Sequence, residues 1–187
     1  MNTEKSFLKI SKFNDKELLQ DCVNYVNDKL EEYPKIQIYG KDCHQRRCIA
    51  FFSNESIGYL YSNKLLESQK LNEKLLLLLN KINEIFNSNY NGILINKYKD
   101  GNDYISAHSD NEKDLEKTNI ISISFGSSRK FRIRDKNNKK IIKDFIINSY
   151  DMIVMGGNFQ EEFTHEIPIE KKIKDERISF TFRKHNK

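Results

Sequence analysis

His108 and Asp110, two residues apart, offer an imidazole and a carboxylate, and His165 offers a second imidazole further along the chain. Two imidazoles and a carboxylate on one face of a metal are the ligand set of non-haem Fe(II) oxygenases, and they leave other coordination positions open. Downstream, Arg177 and Arg183 suit a dicarboxylate co-substrate. A guanidinium is permanently charged and grips a carboxylate through two parallel hydrogen bonds, so two of them could hold both ends of such a molecule.

Each of these features also has a plainer account. A His and an Asp two apart can be exposed polar residues at a strand end, yet on a strand they point to the same side and can face a common ion. The run Arg177-Ile178-Ser179-Phe180-Thr181-Phe182-Arg183 puts Arg177, Ser179, Thr181 and Arg183 on one face and Ile178, Phe180 and Phe182 on the other. An ordinary edge strand with a polar outer face would do the same. Asn96-x-Tyr98 adds two same-face donors just before the H-x-D segment. His44 and His185 lack such company and read as surface residues or local hydrogen-bonders.

These side chains need a scaffold, and the apolar periodicity supplies one. Asn14 followed by Glu17 resembles a helix N-cap box, and Leu18, Leu19, Cys22, Val23, Val26 and Leu30 recur at helical spacing, predicting a helix over 15–31. Pro34 ends it; Ile36 and Ile38 then alternate as a strand, and a second short strand covers Cys48 to Phe52. Leu71, Leu75, Leu78, Leu79, Ile82, Ile85 and Phe86 mark a second amphipathic helix that packs on the core. From residue 92 the period becomes strand-like, with runs at 92–98, 103–107, 119–125, 130–134, 141–146, 151–155 and 177–183. Asp135 to Lys140 reads as a hairpin turn and Gly156-Gly157 as a tight turn. The expected fold is α+β and mainly β: a jelly roll of two sheets, with N-terminal helices packed on one of them.

The 187 residues suit a single domain, with helices in about 1–90 and the catalytic jelly roll in 91–187. With 37% hydrophobic and 32% charged residues the chain is polar, but its apolar residues are grouped into runs, so it should fold. The balance of 32 Lys+Arg against 27 Asp+Glu gives +5, which permits nucleic-acid contact without requiring it. Cys22, Cys43 and Cys48 show neither disulfide nor zinc spacing, which favours a reducing compartment. With no targeting signal and no membrane-length apolar run, the expectation is a soluble intracellular protein of nucleus or cytoplasm, monomeric and without a membrane partner.

Asn96-Lys97-Tyr98, Asp100-Gly101, His108-Ser109-Asp110-Asn111-Glu112, Ser122-Ile123-Ser124-Phe125-Gly126, His165-Glu166-Ile167-Pro168 and the Arg177 to Arg183 run together resemble the AlkB family of Fe(II)/2-oxoglutarate-dependent dioxygenases, which repair alkylated nucleic acids. The resemblance spans roughly residues 36 to 185. It implies the double-stranded β-helix form of the jelly roll. It also implies that His108, Asp110 and His165 hold Fe(II), that Asn96, Tyr98 and Arg177 bind the distal carboxylate of 2-oxoglutarate, and that Arg183 lies near the metal-side carboxylate. Ser179 departs from the Asn that many members carry.

Ile36-Gln37-Ile38-Tyr39-Gly40-Lys41 is similar to the finger segment of the family member that acts on duplex DNA. There an aromatic wedges into the stack vacated by a flipped base, a role that would fall to Tyr39; an exposed hairpin tip is the alternative. By the same resemblance Arg47 is a basic residue near the finger and Tyr59 and Tyr61 belong to a nucleotide-recognition lid. Tyr61 would stack on the base against His108, and Glu112 would accept a hydrogen bond from its exocyclic amino group. Lys136, Lys139, Lys140 and Lys184 would be supporting phosphate contacts, a solvated basic face being the alternative.

The implied reaction is oxidative demethylation of 1-methyladenine and 3-methylcytosine in single- or double-stranded DNA. It consumes O2, releases formaldehyde and converts 2-oxoglutarate to succinate and CO2. The alternatives are RNA or another substrate for a related oxygenase, and a catalytically idle nucleic-acid-binding module.

Overall fold

The structure, a computed structural model, describes residues 1–38, 40–61, 64–111, 115–116 and 118–185, without the side chains of residues 38, 60 and 61. The chain opens with β1 (Ser6–Lys12), α1 (Lys16–Val26), β2 (Lys35–Ile38), β3 (Lys41–His44), β4 (Cys48–Ser53), β5 (Gly58–Tyr61) and β6 (Lys64–Gln69). It continues through α2 (Glu73–Phe86), β7 (Gly92–Tyr98), β8 (Ile105–His108), β9 (Ile120–Gly126), β10 (Arg129–Asp135) and β11 (Ile141–Ile147). The last elements are β12 (Asp151–Gly157), α3 (Phe159–Glu162), β13 (Phe163–Ile167) and β14 (Arg177–Arg183).

The strands form a jelly roll of two main layers. The larger sheet runs β1-β12-β9-β14-β7-β4-β6-β5 and the smaller β11-β10-β13-β8, while β2 and β3 pair separately. Leu18, Leu19, Cys22, Val23 and Val26 of α1 and Leu75, Leu78, Leu79 and Ile82 of α2 are buried against one face of the larger sheet, where they meet Ile178, Phe180 and Phe182 of β14. Fully burying aromatics such as Phe180 and Phe182 contributes roughly 1.5–3 kcal/mol each. The other face packs on the smaller sheet through Leu8, Tyr98, Ile105, Phe131, Ile133, Ile153, Met155 and Phe163. The cavity described below opens between these two layers.

Several boundaries differ from those the sequence predicts. The first helix is capped by Asp15, whose carboxylate accepts from the Leu18 N–H at 3.1 Å, and it ends at Val26. Thus Asn14 is not its cap, and Leu30 lies beyond it. The strands do not simply follow the helices: β1 precedes α1 and pairs along its whole length with β12, while β2 to β6 lie between α1 and α2. Gly156 and Gly157 end β12 opposite Phe7 and Ser6 instead of forming a turn. Gly156 is needed for space, since a Cβ there would sit 2.2 Å from the Phe7 ring, and Gly157 adopts the left-handed φ of +65° that favours glycine. The turn at Asp135 to Lys140 is present, and the Asp135 carboxylate accepts from the N–H groups of Asn137 and Asn138 at 2.9 Å each. Among the described residues, no helix is long and apolar enough to cross a membrane.

Candidate metal and co-substrate site

The end of β8 delivers His108, and β13 pairs with it so that His165 lies directly opposite. Their ring centroids are 4.3 Å apart. Asp110, two residues past His108, completes a triangle: its Oδ1 is 3.6 Å from His108 Nε2 and its Oδ2 is 3.7 Å from His165 Nε2. Ligand atoms from all three residues lie within 4.8 Å of one another. Two donors bound at ~2.1 Å to one cation stand at most about 4.2 Å apart, and both Asp110 separations meet that limit.

The tautomers and charges also suit a metal. His108 Nδ1 lies 2.9 Å from the Ser106 carbonyl, so donating its proton there leaves the Nε2 lone pair directed at the triangle. His165 stacks on Phe131, with centroids 5.2 Å apart and planes 17° from parallel. Burial pushes the His165 imidazole down to about 3, reinforced by neighbouring His108, and burial lowers His108 as well. For Asp110 burial acts upward, but Arg183, His165 and His108 outweigh it and hold the carboxyl below its usual range. Two neutral imidazoles and a carboxylate are the protonation states in which such groups bind metal.

Arg177 and Arg183 reach the same cavity because β14 is central, paired with β7 on one side and β9 on the other. The edge-strand alternative is therefore excluded. Arg177 donates to Ser124 Oγ at 2.7 Å and stands 5.5 Å from the Tyr98 ring centroid. Its burial lowers the guanidinium to about 10, which still leaves a cation at neutral pH. Arg183 turns towards the triangle and donates to Asp110 Oδ1 at 2.5 Å. Ser179 lies opposite Asn96 in the β14–β7 register. One cavity is thus lined by His108, Asp110, His165, Asn96, Tyr98, Arg177, Ser179 and Arg183.

The residues expected on the nucleotide side divide. Tyr59 is buried in the cavity wall, with Arg183 Cζ 5.1 Å from its ring. Arg47 is buried too, and its Nε donates to Asn96 Oδ1 at 2.7 Å. This places Arg47 against Asn96 inside the cavity. Tyr39 and Glu112 lie outside the described residues, as does the Tyr61 side chain. Lys136 is engaged by the chain itself, its ammonium donating to the Gln160 carbonyl at 2.7 Å. His44 is exposed, its Nδ1 2.8 Å from the Tyr33 carbonyl. His185 is no surface residue: only 3% exposed, it packs 4.6 Å from the Phe51 ring, and its backbone exchanges hydrogen bonds with the Asn91 side chain.

Arg129 escaped the sequence reading. Almost wholly buried, it donates to the carbonyls of Asp100, Asp103 and Pro168 at 3.0, 2.8 and 2.9 Å and pairs with Glu170 at 3.3 Å. Its guanidinium is 5.5 Å from the Tyr98 ring centroid. The signal was available: on β10, Arg129 shares the inward face with Phe131 and Ile133, where a charge must be satisfied internally.

Residues 6–183 match the family model of the 2OG-Fe(II) oxygenase superfamily. The chain is similar to DNA oxidative demethylase ALKBH2 of Mus musculus, 27% identical over 80% of this chain and 66% of that protein. It is similar to the Homo sapiens protein of the same name, 26% identical over 90% of this chain and 67% of that one. With alpha-ketoglutarate-dependent dioxygenase alkB homolog 3 of Bos taurus it shares 30% identity over 74% of this chain and 51% of that one. The chain therefore spans between half and two thirds of the length of these curated relatives. Its fold is similar to the solved structure of OsALKBH1, with a TM-score of 0.63 over 98% of this chain and 100% of that chain; at 15% identity that likeness concerns the fold alone.

Proposed function

The chain belongs to the 2OG-Fe(II) oxygenase superfamily, and we propose that it oxidatively demethylates alkylated bases, 1-methyladenine and 3-methylcytosine, in DNA. The observation that carries the reading is the shared cavity, which brings the His108, Asp110 and His165 triangle together with the buried cations Arg177 and Arg183. His108, Asp110 and His165 would hold Fe(II). Arg177, Tyr98 and Asn96 would take the distal carboxylate of 2-oxoglutarate, with Ser179 beside Asn96 and Arg183 near the metal-side carboxylate.

When bound, iron with 2-oxoglutarate and O2 supplies the oxidising power that hydroxylates an N-methyl group, which leaves as formaldehyde while the co-substrate becomes succinate and CO2. The protein's part is placement. Arg177 is fixed by Ser124 and the Tyr98 ring, so its charge is set before the co-substrate arrives. Apolar side chains of Leu94, Ile105, Met155 and Ile167 line the cavity and limit water around the reacting centre. Arg47 orients Asn96 through its 2.7 Å hydrogen bond. Tyr61, in a lid with Tyr59, would stack on the flipped base against His108, Glu112 would accept from its amino group, and Tyr39 would fill the gap left in a duplex.

The support for a base substrate is the similarity to proteins named DNA oxidative demethylases. The decisive experiment incubates the protein with Fe(II), 2-oxoglutarate and matched DNA and RNA oligonucleotides carrying either lesion, and measures formaldehyde and base repair. Turnover on DNA is expected. Absence of turnover on every oligonucleotide would overturn the proposal, and turnover on RNA alone would reassign the substrate. His108→Ala should abolish turnover; wild-type activity in that variant would remove His108 from the metal site.

A further inference from the structure

Asp110 has a backbone problem that its position creates. Strand β8 ends at His108, so the Asp110 N–H lies past the paired ladder while the residue is only 5% exposed. A buried N–H without an acceptor is costly and leaves the attached side chain free to turn. Here one distant side chain supplies that acceptor: Gln160 Oε1 lies 2.9 Å from Asp110 N. Because the backbone nitrogen can only donate, the Gln160 amide must present its oxygen, and its Nε2 is then directed to Met155 Sδ at 3.7 Å.

Gln160 is itself held in place. It sits in α3, which the wholly buried Phe159 roots in the core between the sheets, and its carbonyl accepts from Lys136 Nζ at 2.7 Å. The neighbouring residue is fastened to the same segment, since Ser109 Oγ donates to the Phe163 carbonyl at 2.9 Å. The α3–β13 segment therefore grips consecutive residues of the H-x-D loop from outside the cavity, while His165 of β13 reaches the triangle from inside it.

We propose that Gln160 is a positioning residue for the metal centre, fixing the direction of the Asp110 carboxylate through the Asp110 N–H. The proposal rests on the reading of Asp110 as a metal ligand, made above. Gln160 is not among the residues lining the cavity, and acts only by restricting the backbone from which Asp110 projects. Outer hydrogen-bond partners of metal ligands commonly alter metal affinity about 10–100-fold when removed.

The test titrates Mn(II), followed by electron paramagnetic resonance, into metal-free wild type, Gln160→Met and Gln160→Glu, with thermal melting of each metal-free chain alongside. Methionine keeps the length and removes the acceptor oxygen; glutamate keeps the oxygen. Gln160→Met should bind Mn(II) about 10–100-fold more weakly, and Gln160→Glu should stay within a few-fold of wild type. Equal affinity in wild type and Gln160→Met would overturn the proposal, as would Gln160→Glu binding no better than Gln160→Met. Should Gln160→Met fail to fold, Gln160→Ala provides the same comparison. A wild type that binds no Mn(II) would overturn the Asp110 assignment and this proposal with it, whereas tight wild-type binding unchanged in Gln160→Met would sink this proposal alone and leave the demethylase reading intact.

Discussion

Arg183 and Asp110 are hydrogen-bonded to each other, Nη2 to Oδ1 at 2.5 Å, with side chains only 3% and 2% exposed. The carboxylate proposed to bind metal is thus already compensated by a fixed cation, and the arginine proposed to meet the co-substrate is already oriented by that carboxylate. Neither can be changed without disturbing the other.

From that coupling, Arg183→Leu should destabilise the metal-free protein by about 3–5 kcal/mol, the usual cost of leaving a buried charge without its partner. Added Mn(II) should return part of the loss, because a cation at the triangle replaces the missing positive charge. Urea unfolding with and without Mn(II) reads both effects. A loss untouched by Mn(II) would mean that Asp110 is not the group left unpaired.

Removing Arg129 should act differently. Arg129→Met takes a donor from three backbone carbonyls and leaves Glu170 with the Lys130 N–H but no cation, and a destabilisation of about 1–3 kcal/mol is expected. It should also raise the KM for 2-oxoglutarate, since Tyr98 loses the guanidinium beside its ring. An unchanged melting temperature would show that the carbonyl contacts contribute nothing to stability.

Acid should test His185. Burial, with Arg183 adding to it, pushes this imidazole down to about 4, against about 6.5 in an unfolded chain. Between these values the unfolded chain binds a proton that the folded chain refuses. Stability that is present above about pH 6.5 is therefore lost as pH falls towards 4, at up to about 1.4 kcal/mol per pH unit. His185→Phe should lose less stability over this window than wild type. Identical pH profiles of the urea midpoint would exclude the effect.

For the finger, Tyr39→Ala should lower activity on methylated duplex more than on the matching single strand, because only a duplex has a stack to refill. Equal losses on both substrates would remove that role.

The sequence disclosed the scaffold where a pattern was local. The helical spacing of Leu75, Leu78, Leu79 and Ile82 and the alternation in β14 are read within one element, and the structure reproduces both. It also brings into one cavity metal and co-substrate candidates that come from four separate stretches of the chain, from Asn96 to Arg183. Features set by distant partners were not legible. The pairing of β1 with β12 depends on strands about 145 residues apart, and the interiors of Arg47 and His185 depend on Asn96 and on Phe51 with Asn91. The cap at Asp15 instead of Asn14 was a local choice between two adjacent good acceptors, which composition alone does not decide.

One strand carries a consequence for anyone recombining this chain with its relatives. In β14 the odd-numbered residues face the cavity and the even-numbered ones face the helices. A shift of one residue would drive two guanidinium groups into the oily layer and two phenylalanines into the reaction chamber. Chimeras should therefore tolerate exchange of β14 as an intact block, with its length conserved, and fail when a crossover adds or removes a single residue within it.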